Sequence, residues 1–241
     1  MKTVLVTGAG RGLGLALVRE HLQRGDKVFA LEYKMSDTLC EMAKEDSRVV
    51  ALVANIGSTE SVDTAIKQVA EQTDALDVIY NNAGIYYPLP GFREEGRREL
   101  LEYDLDKCMD MYNINALGAL RVAKAALKYG LLHSGATICN TSSEAGSIEG
   151  LGTVRRAYEY NYCMSKAALN KGSEILYNDV ERQGMRVILI HPGWMATDMG
   201  GAQAKQDPAD TAQKLAEMTD DFHSTSRENW YLKFDGTPIP W

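Results

Sequence analysis

Tyr162 and Lys166 form the residue pair whose types and spacing point most directly to chemistry. On a helix, residues four positions apart lie on one face, one turn from each other. A phenol has a pKa of roughly 10, so it exchanges protons poorly at neutral pH unless a nearby ammonium group stabilises the phenolate. Lowering that pKa to about 7 requires about 4 kcal/mol of differential stabilisation, to which Lys166 would contribute. The pair therefore predicts acid–base catalysis by Tyr162; the alternative is a packed tyrosine beside an exposed lysine.

A glycine-rich segment at residues 7–14 has the composition of a phosphate-binding turn. It follows an apolar, β-branched run at residues 3–6 and precedes a helical pattern that stops near Gly25. A strand that enters a helix through glycines presents free backbone N–H groups where a pyrophosphate binds. Glu32 ends the second predicted strand, 24 residues after Gly8, where dinucleotide folds place an acidic residue on the adenine-side ribose. These patterns predict a dinucleotide site; a purely structural turn and an exposed glutamate are the alternatives.

Further polar residues follow other predicted strands. Residues 81–84, Asn-Asn-Ala-Gly, come directly after a fourth strand, and Ser142 and Ser143 come after a fifth. A Pro-Gly pair at residues 192–193 follows the sixth. Ligands of open α/β sheets bind beyond the carboxyl ends of the strands, so these residues are expected at one edge. Asn115 lies among apolar neighbours in a predicted helix, where its amide is either a satisfied core group or part of the site.

The elements that must position these residues alternate along the chain. Apolar runs typical of buried strands occur at residues 3–6, 27–31, 49–53, 76–80, 136–140, 186–190 and 230–234. Helical patterns occur at residues 17–22, 62–70, 105–129 and 162–182. This alternation predicts an α/β fold with a Rossmann-type doubly wound, mainly parallel seven-stranded sheet and helices on both faces. We expect a single domain over residues 1–241, with loops at 85–103 and 144–161 and a lid-like polar stretch after Thr197.

Composition narrows the classes of partner. The net charge of −7 argues against binding to nucleic acid or to an anionic membrane surface. Arg93, Arg97 and Arg98 alternate with glutamates and predict a solvated charged face. The four cysteines lack C-x-x-C spacing, which favours reduced cytoplasmic thiols, and no apolar run is long enough to span a membrane. We expect a cytoplasmic protein without a metal site. The oligomeric state stays open between a monomer and a homo-oligomer, because subunit faces and buried helix faces look alike in sequence.

Six motifs in a fixed order resemble the short-chain dehydrogenase/reductase family across essentially the whole chain. They are residues 7–14, 81–84, Asn115, residues 142–143, Tyr162 with Lys166, and residues 192–193. Within the family, residues 191–201 and the ending at 235–241 are similar to the C-factor and sniffer-type carbonyl-reductase branch.

The resemblance implies an NAD(P)-dependent oxidoreductase that moves a hydride between a nicotinamide cofactor and a carbonyl or alcohol substrate. Tyr162 would exchange a proton with the substrate oxygen, and Lys166 would lower the pKa of the tyrosine and hold the nicotinamide ribose. Ser143, with Ser142 as the alternative, would hydrogen-bond the developing alkoxide. Asn115 would order a water chain behind Lys166.

The resemblance also implies which residues contact the cofactor. They are Gly8, Arg11, Gly12, Leu13, Gly14, Glu32, Asn55, Ile56, Asn82, Ala83, Gly84, Tyr162, Lys166, Pro192, Gly193, Met195 and Thr197. Asn55 replaces the aspartate that is common in the family, and its amide oxygen can still accept a hydrogen bond. The spacing of 19 from Ser143 to Tyr162 exceeds the family norm and predicts an enlarged loop over a small-molecule substrate.

Cofactor choice depends on Glu32. Its carboxylate suits two ribose hydroxyls, whereas a 2′-phosphate there would bring about two negative charges next to it. NAD(H) is therefore favoured, while Arg11 and Lys34 leave NADP(H) possible. The rival interpretation is a non-catalytic dinucleotide sensor, which would not require the Tyr, Lys, Ser and Asn that are all present. Hydrolysis is disfavoured because no G-x-S-x-G motif surrounds the serines.

Overall fold

In a computed structural model of the chain, seven strands form one sheet in the order β3-β2-β1-β4-β5-β6-β7. The structure describes residues 1–86, 100–150, 159–201, 203–204, 206–221 and 230–241. The strands are β1 Thr3–Thr7, β2 Lys27–Glu32, β3 Val49–Val53, β4 Leu76–Asn81, β5 Leu132–Thr141, β6 Arg186–His191 and β7 Tyr231–Lys233. All six strand pairs are parallel, so the predicted doubly wound sheet is confirmed and is entirely parallel.

The helices connect these strands across both faces of the sheet. They are α1 Gly12–Gln23, α2 Asp37–Glu45, α3 Thr59–Ala70, α4 Cys108–Met111, α5 Gly118–Lys128, α6 Tyr160–Val180 and α7 Pro208–Asp221. The central strands are buried from both sides, which explains their continuous apolar runs; Val4, Leu5 and Val6 are fully buried, for example.

Two helices were missing from the sequence prediction. Ser36 starts α2 by accepting the Leu39 N–H with its hydroxyl oxygen at 3.2 Å. The stretch after Thr197, predicted to be a polar lid, contains α7, which packs against α1. Its apolar residues Ala212 and Leu215 are buried, so this part of the predicted lid belongs to the core instead.

The long predicted helix at 105–129 starts later than expected and is not uniformly α-helical. It begins at Cys108, and Leu105, where the prediction began, is 54% exposed. Between α4 and α5 the backbone forms a π-helical segment, Tyr112–Leu117, and Gly130 at φ 69° follows the end of α5. The widened turn includes Asn115. Such π-helical segments are often found at functional sites.

Several boundaries also shift. β5 begins at Leu132, earlier than the predicted residue 136, and α6 covers 160–180 instead of 162–182. The predictions for Arg93, Arg97 and Arg98 lie outside the described residues, as do residues 87–99 of the first predicted loop and residues 151–158 of the second.

Candidate active site

The candidate site lies where the strand order reverses, between β1 and β4. The glycine segment follows β1, residues 82–84 follow β4, and Ser142 and Ser143 follow β5. Residues 192–193 follow β6 at the same edge of the sheet. The carboxyl ends of parallel strands beside such a switch point form the ligand crevice of doubly wound folds. The fold therefore brings the motifs predicted from sequence to one edge.

Tyr162 and Lys166 lie on one face of α6, and both are buried. The Nζ atom of Lys166 lies 5.8 Å from the centre of the Tyr162 ring and donates a hydrogen bond to the Thr141 carbonyl oxygen at 2.7 Å. Burial lowers the pKa of Lys166 to about 8, so the ammonium form still predominates at neutral pH. A cation next to a buried phenol is the arrangement that stabilises a phenolate.

The Tyr162 ring packs with Met111 and Ala145 and is approached by a second tyrosine. Tyr86 meets it edge to face, with 5.4 Å between the ring centres. The Tyr86 hydroxyl donates to the Glu159 carboxylate at 3.0 Å. Neither Tyr86 nor Glu159 could be assigned to the site from the sequence, because their closeness to Tyr162 depends on the tertiary fold.

Asn115 links the turn after β4 to α6. Its Oδ1 accepts the Ile85 N–H at 2.8 Å, and its Nδ2 donates to the Ile85 carbonyl at 2.9 Å and to Ser165 Oγ at 3.1 Å. Ser165 in turn donates to the Tyr162 carbonyl at 2.8 Å. A Cβ on Gly84 would come within 3.2 Å of Asn115 Oδ1. The Asn115 amide is thus committed to holding this turn against the helix that carries Tyr162.

The two serines after β5 have different surroundings. Ser142 is 2% exposed and donates its hydroxyl hydrogen to Asn170 Oδ1 at 2.5 Å. Ser143 Oγ accepts the Ala145 N–H at 3.2 Å, a bond that leaves its own hydrogen able to donate. These contacts favour Ser143 over Ser142 as a donor to a substrate oxygen.

The glycine segment forms a tight turn beneath residues 82–84. Gly8 has φ 65°, and a Cβ there would come 2.9 Å from the Ala83 Cα. Asn82 Nδ2 donates to the carbonyl oxygens of Thr7 at 3.0 Å and Gly8 at 3.2 Å, and the Ala83 N–H donates to Thr7 Oγ1 at 3.0 Å. Asn82 and Ala83 therefore support the turn as well as bordering the crevice.

The start of α1 is open to an anion. Within the described chain, the side chain of Arg11 does not cap this helix, and its first turn contains no carboxylate. Gly12 is partly exposed there, whereas Leu13 and Gly14 are buried. A Cβ on Gly14 would come 1.9 Å from the Gly8 carbonyl oxygen, so glycine at this position allows the helix to pack on the turn. Helix N-terminal N–H groups attract phosphate, so this turn fits the pyrophosphate of a dinucleotide.

Glu32 at the end of β2 points back to the glycine turn. Its Oε2 accepts the Gly10 N–H at 2.6 Å, and its Oε1 accepts the Tyr33 N–H at 2.9 Å. Arg11 pairs with Asp198, with Nη1 and Oδ2 2.7 Å apart and both side chains more than three-quarters exposed. Both carboxylate oxygens thus bond the backbone at or next to the glycine turn, and the nearby arginine is engaged by the segment after β6.

The two residues predicted to lie near the adenine, Asn55 and Ile56, make contacts within the protein itself. Asn55 Oδ1 accepts the Gly57 N–H at 2.9 Å, and the side chain of Ile56 is buried. A Cβ on Gly118 would come 2.7 Å from Ile56 Cδ1, so that side chain packs on α5. Neither contact was expected from the sequence.

The segment after β6 lies over the glycine turn. Pro192 is buried, Gly193 has φ 85°, and Met195 pairs with Gln206 in an isolated bridge. A Cβ on Gly12 would come 3.2 Å from Thr197 Cγ2, which places Thr197 against the predicted phosphate turn.

Two residues that support the turn at Ser142 and Ser143 were not predicted from the sequence. Asn170 holds the serine turn by donating to the Gly146 carbonyl at 3.2 Å, and Tyr231 donates to the Ser143 carbonyl at 2.5 Å. Asn170 follows Lys166 by four positions, a spacing that places it on the same helix face and could have identified it.

Within the described ranges, no helix is both long and apolar enough to cross a membrane. In that same part of the chain, no group of three His, Cys, Asp or Glu side chains is placed to hold a metal ion.

A family model described as short chain dehydrogenase matches residues 2–208. The C-signal protein of Myxococcus xanthus is 33% identical over 173 residues, covering 70% of this chain and 95% of that protein. The carbonyl reductase Sniffer of D. melanogaster has a TM-score of 0.84 and 26% identity, with full coverage of both chains. The NADPH-bound carbonyl reductase from chicken fatty liver has a TM-score of 0.81 and 25% identity, covering 100% of this chain and 99% of that one. The chain therefore belongs to the short-chain dehydrogenase/reductase family, is of the sniffer and C-factor type, and is an NAD(P)-dependent oxidoreductase.

Proposed function

We propose that this oxidoreductase reduces a small-molecule aldehyde or ketone, or oxidises the matching alcohol, with Tyr162 as the acid–base group. The observation that carries the proposal is the buried pair of Tyr162 and Lys166. The Nζ atom of Lys166 is held there by its hydrogen bond to the Thr141 carbonyl oxygen. A nicotinamide cofactor, when bound, would supply or accept the hydride. The names of the similar carbonyl reductases support the same substrate class.

In the direction of reduction, the Tyr162 hydroxyl gives its proton to the substrate oxygen. Lys166 stabilises the phenolate that remains and would hold the nicotinamide ribose. Ser143 donates its hydroxyl hydrogen to the same oxygen while negative charge develops on it. In the direction of oxidation the same groups act in reverse, and the Tyr162 phenolate accepts the proton of the alcohol.

Asn115 acts in this proposal through position. Its three bonds fix the turn at Ile85 and reach α6 through Ser165, whose hydroxyl bonds the Tyr162 carbonyl. The water chain behind Lys166 remains a proposal for the same amide, which lies beside Gly84.

The cofactor would lie across the switch point. The α1 N-terminus would hold the pyrophosphate, Glu32 the adenine-side ribose, and Lys166 the other ribose. We propose a preference for NAD(H), because a 2′-phosphate would meet the Glu32 carboxylate. The competing outcome is a preference for NADP(H), in which Arg11 leaves Asp198 to bind the 2′-phosphate. The similar carbonyl reductase from chicken fatty liver binds NADPH, which supports testing that outcome.

A screen of aldehydes, ketones, quinones and secondary alcohols with both cofactors tests the proposal. We expect at least one class to oxidise the reduced cofactor or reduce the oxidised one, as followed at the nicotinamide absorbance. If the protein binds the cofactor but turns over no compound in any class, the non-catalytic sensor becomes the better interpretation.

A further inference from the structure

The turn that carries Ser143 is held by the last strand of the sheet. We infer that Tyr231 and Lys233 of β7 are positioning residues that set the direction of the Ser143 hydroxyl. This inference rests on the proposed role of Ser143 as donor to the substrate oxygen. β7 pairs with β6 and lies two strands away from β5, so its side chains reach the serine turn across the edge of the sheet.

The first contact is a short hydrogen bond to the backbone of the serine itself. The Tyr231 hydroxyl donates to the Ser143 carbonyl oxygen at 2.5 Å, and Tyr231 is fully buried. Burial raises the pKa of Tyr231 to about 12, so the hydroxyl remains a donor throughout the working range of an enzyme. The same carbonyl oxygen also accepts the Gly146 N–H at 2.8 Å, so loss of the Tyr231 bond would leave the Ser143 peptide with one of these two hydrogen bonds and hold it less firmly.

The second contact fixes the next residue. Lys233 Nζ lies 2.7 Å from Glu144 Oε1, and His191 Nε2 lies 3.8 Å from the same oxygen. Burial lowers the pKa of His191 to about 4, so the charge opposite Glu144 comes from Lys233. Both partners of the ion pair are partly exposed, so this pair is the weaker of the two contacts.

The chain beyond β7 holds the remainder of the same turn. Ser147 Oγ donates to the Pro240 carbonyl at 2.6 Å, and the Glu149 N–H donates to the Trp241 backbone oxygen at 2.7 Å. The Trp241 ring lies 5.3 Å from the Tyr231 ring, centre to centre. Residues 143–149 are thus attached at several points to residues 231–241.

Such attachment matters because donor geometry is sensitive to small shifts. The Ser143 hydroxyl oxygen already accepts the Ala145 N–H, so the orientation of this turn decides where its hydrogen can point. A displacement of about 1 Å in a catalytic group can cost on the order of 10² in rate. A positioning strand would therefore act on kcat through Ser143 and leave cofactor binding unchanged.

A double-mutant cycle tests this. Tyr231→Phe keeps the ring and removes only the hydroxyl; we expect kcat to fall about fivefold or more, with the cofactor Kd within about twofold. In a Ser143→Ala background the same change should alter kcat by less than about twofold, because the group it positions is absent. Tyr80→Phe is the matched control: it removes a buried hydroxyl that bonds His21 and Thr219 instead, and it should leave kcat unchanged.

The outcomes separate the inference from the proposed function. Full activity in Ser143→Ala would overturn the proposed role of Ser143 and the positioning inference with it, while the oxidoreductase function would stand; that function is overturned when the wild type itself turns over no carbonyl or alcohol. Impaired Ser143→Ala together with a wild-type kcat in Tyr231→Phe would overturn the positioning role alone, as would an equal loss in both backgrounds. If Tyr231→Phe does not fold, Lys233→Met at the partly exposed ion pair takes its place, with an expected loss of about twofold or more that disappears in the Ser143→Ala background.

Discussion

Lys166 directs its ammonium group to the backbone carbonyl oxygen of Thr141, 2.7 Å away at the end of β5. The side chain is 5% exposed, so this bond provides a partner for a cation that burial would otherwise disfavour. It also places the cation between the strand that leads to Ser143 and the ring of Tyr162. The same contact thus fixes the electrostatics and the geometry of the proposed site.

The lowered pKa of Lys166 makes protein stability depend on pH in a defined direction. The native pKa is about 8 and the ordinary value is 10.5, so between these values the unfolded chain binds more protons. The contribution of Lys166 to the free energy of unfolding therefore rises with pH across that window, by about 1–3 kcal/mol in total. Urea unfolding of the wild type and Lys166→Met at pH 7, 8, 9 and 10 measures it as the difference between the two proteins.

The control is Lys171→Met, at a 70% exposed lysine of the same helix. Its difference from the wild type should change less over that pH range than the difference for Lys166→Met, because an exposed side chain gives up little hydration on folding. A wild-type advantage over Lys166→Met that shrinks as the pH rises would contradict the account.

Asn115→Ala should affect both stability and the chemical step. The change strands the Ile85 N–H and carbonyl and removes the bond to Ser165, so we expect a loss of about 1–3 kcal/mol in the free energy of unfolding. We also expect kcat to fall by more than cofactor affinity, because the turn beside α6 is no longer fixed. Ser165→Ala removes only part of this network and should fall between the wild type and Asn115→Ala in both measurements. Equal kcat in all three proteins would show that the network does not serve the site.

The alternation of strands and helices could be predicted because buried parallel strands and amphipathic helices leave local patterns. The phosphate turn at residues 7–14 could be located for the same reason, since its glycines stand between a strand and a helix. Helix α2 was missed because it buries little apolar surface; Leu39 is its one buried residue.

The supporting contacts could not be predicted because they join residues far apart in sequence. Tyr231 and Ser143 are separated by 88 positions, and nothing in either local pattern indicates their bond. The difference between Ser142 and Ser143 also could not be predicted without the fold, because the hydrogen-bond partner of Ser142 lies on α6. The π-helical turn at Asn115 is likewise a response to packing and bonding that periodicity does not encode.

Glu32→Ala tests the proposed cofactor preference. Removing the carboxylate takes away the acceptor for ribose hydroxyls and the charge that repels a 2′-phosphate. We expect the ratio of kcat/KM for NAD(H) over NADP(H) to fall about tenfold or more. Glu20→Ala, at a glutamate that pairs with Arg24 on α1, should leave the ratio unchanged. An unaltered ratio in Glu32→Ala, or a strong NADP(H) preference in the wild type, would assign the choice to other groups, with Arg11 first among them.

Gly8→Ala tests the close approach of the phosphate turn to Ala83. Both Gly8 and Gly25 have positive φ, 65° and 86°, but an added Cβ meets backbone atoms at 2.9 Å only at Gly8, whereas at Gly25 nothing lies within 4 Å. Gly25→Ala should therefore cost about 1–2 kcal/mol of backbone strain and leave the cofactor Kd unchanged. Gly8→Ala should be less stable than that control and bind the cofactor at least about tenfold more weakly. Equal effects of the two changes on stability and on Kd would contradict the proposed role of this turn.

The most direct test of the account is the turnover of Tyr162→Phe with a carbonyl substrate, measured beside the cofactor Kd of the same protein. Phenylalanine keeps the ring that packs on Met111 and removes only the hydroxyl group, whose proton is transferred. We expect kcat to fall by about 10² or more while the Kd stays within about twofold. Tyr160→Phe, two residues away at a partly exposed tyrosine, should retain wild-type turnover. Wild-type turnover in Tyr162→Phe would contradict the assignment of Tyr162 as the acid–base group.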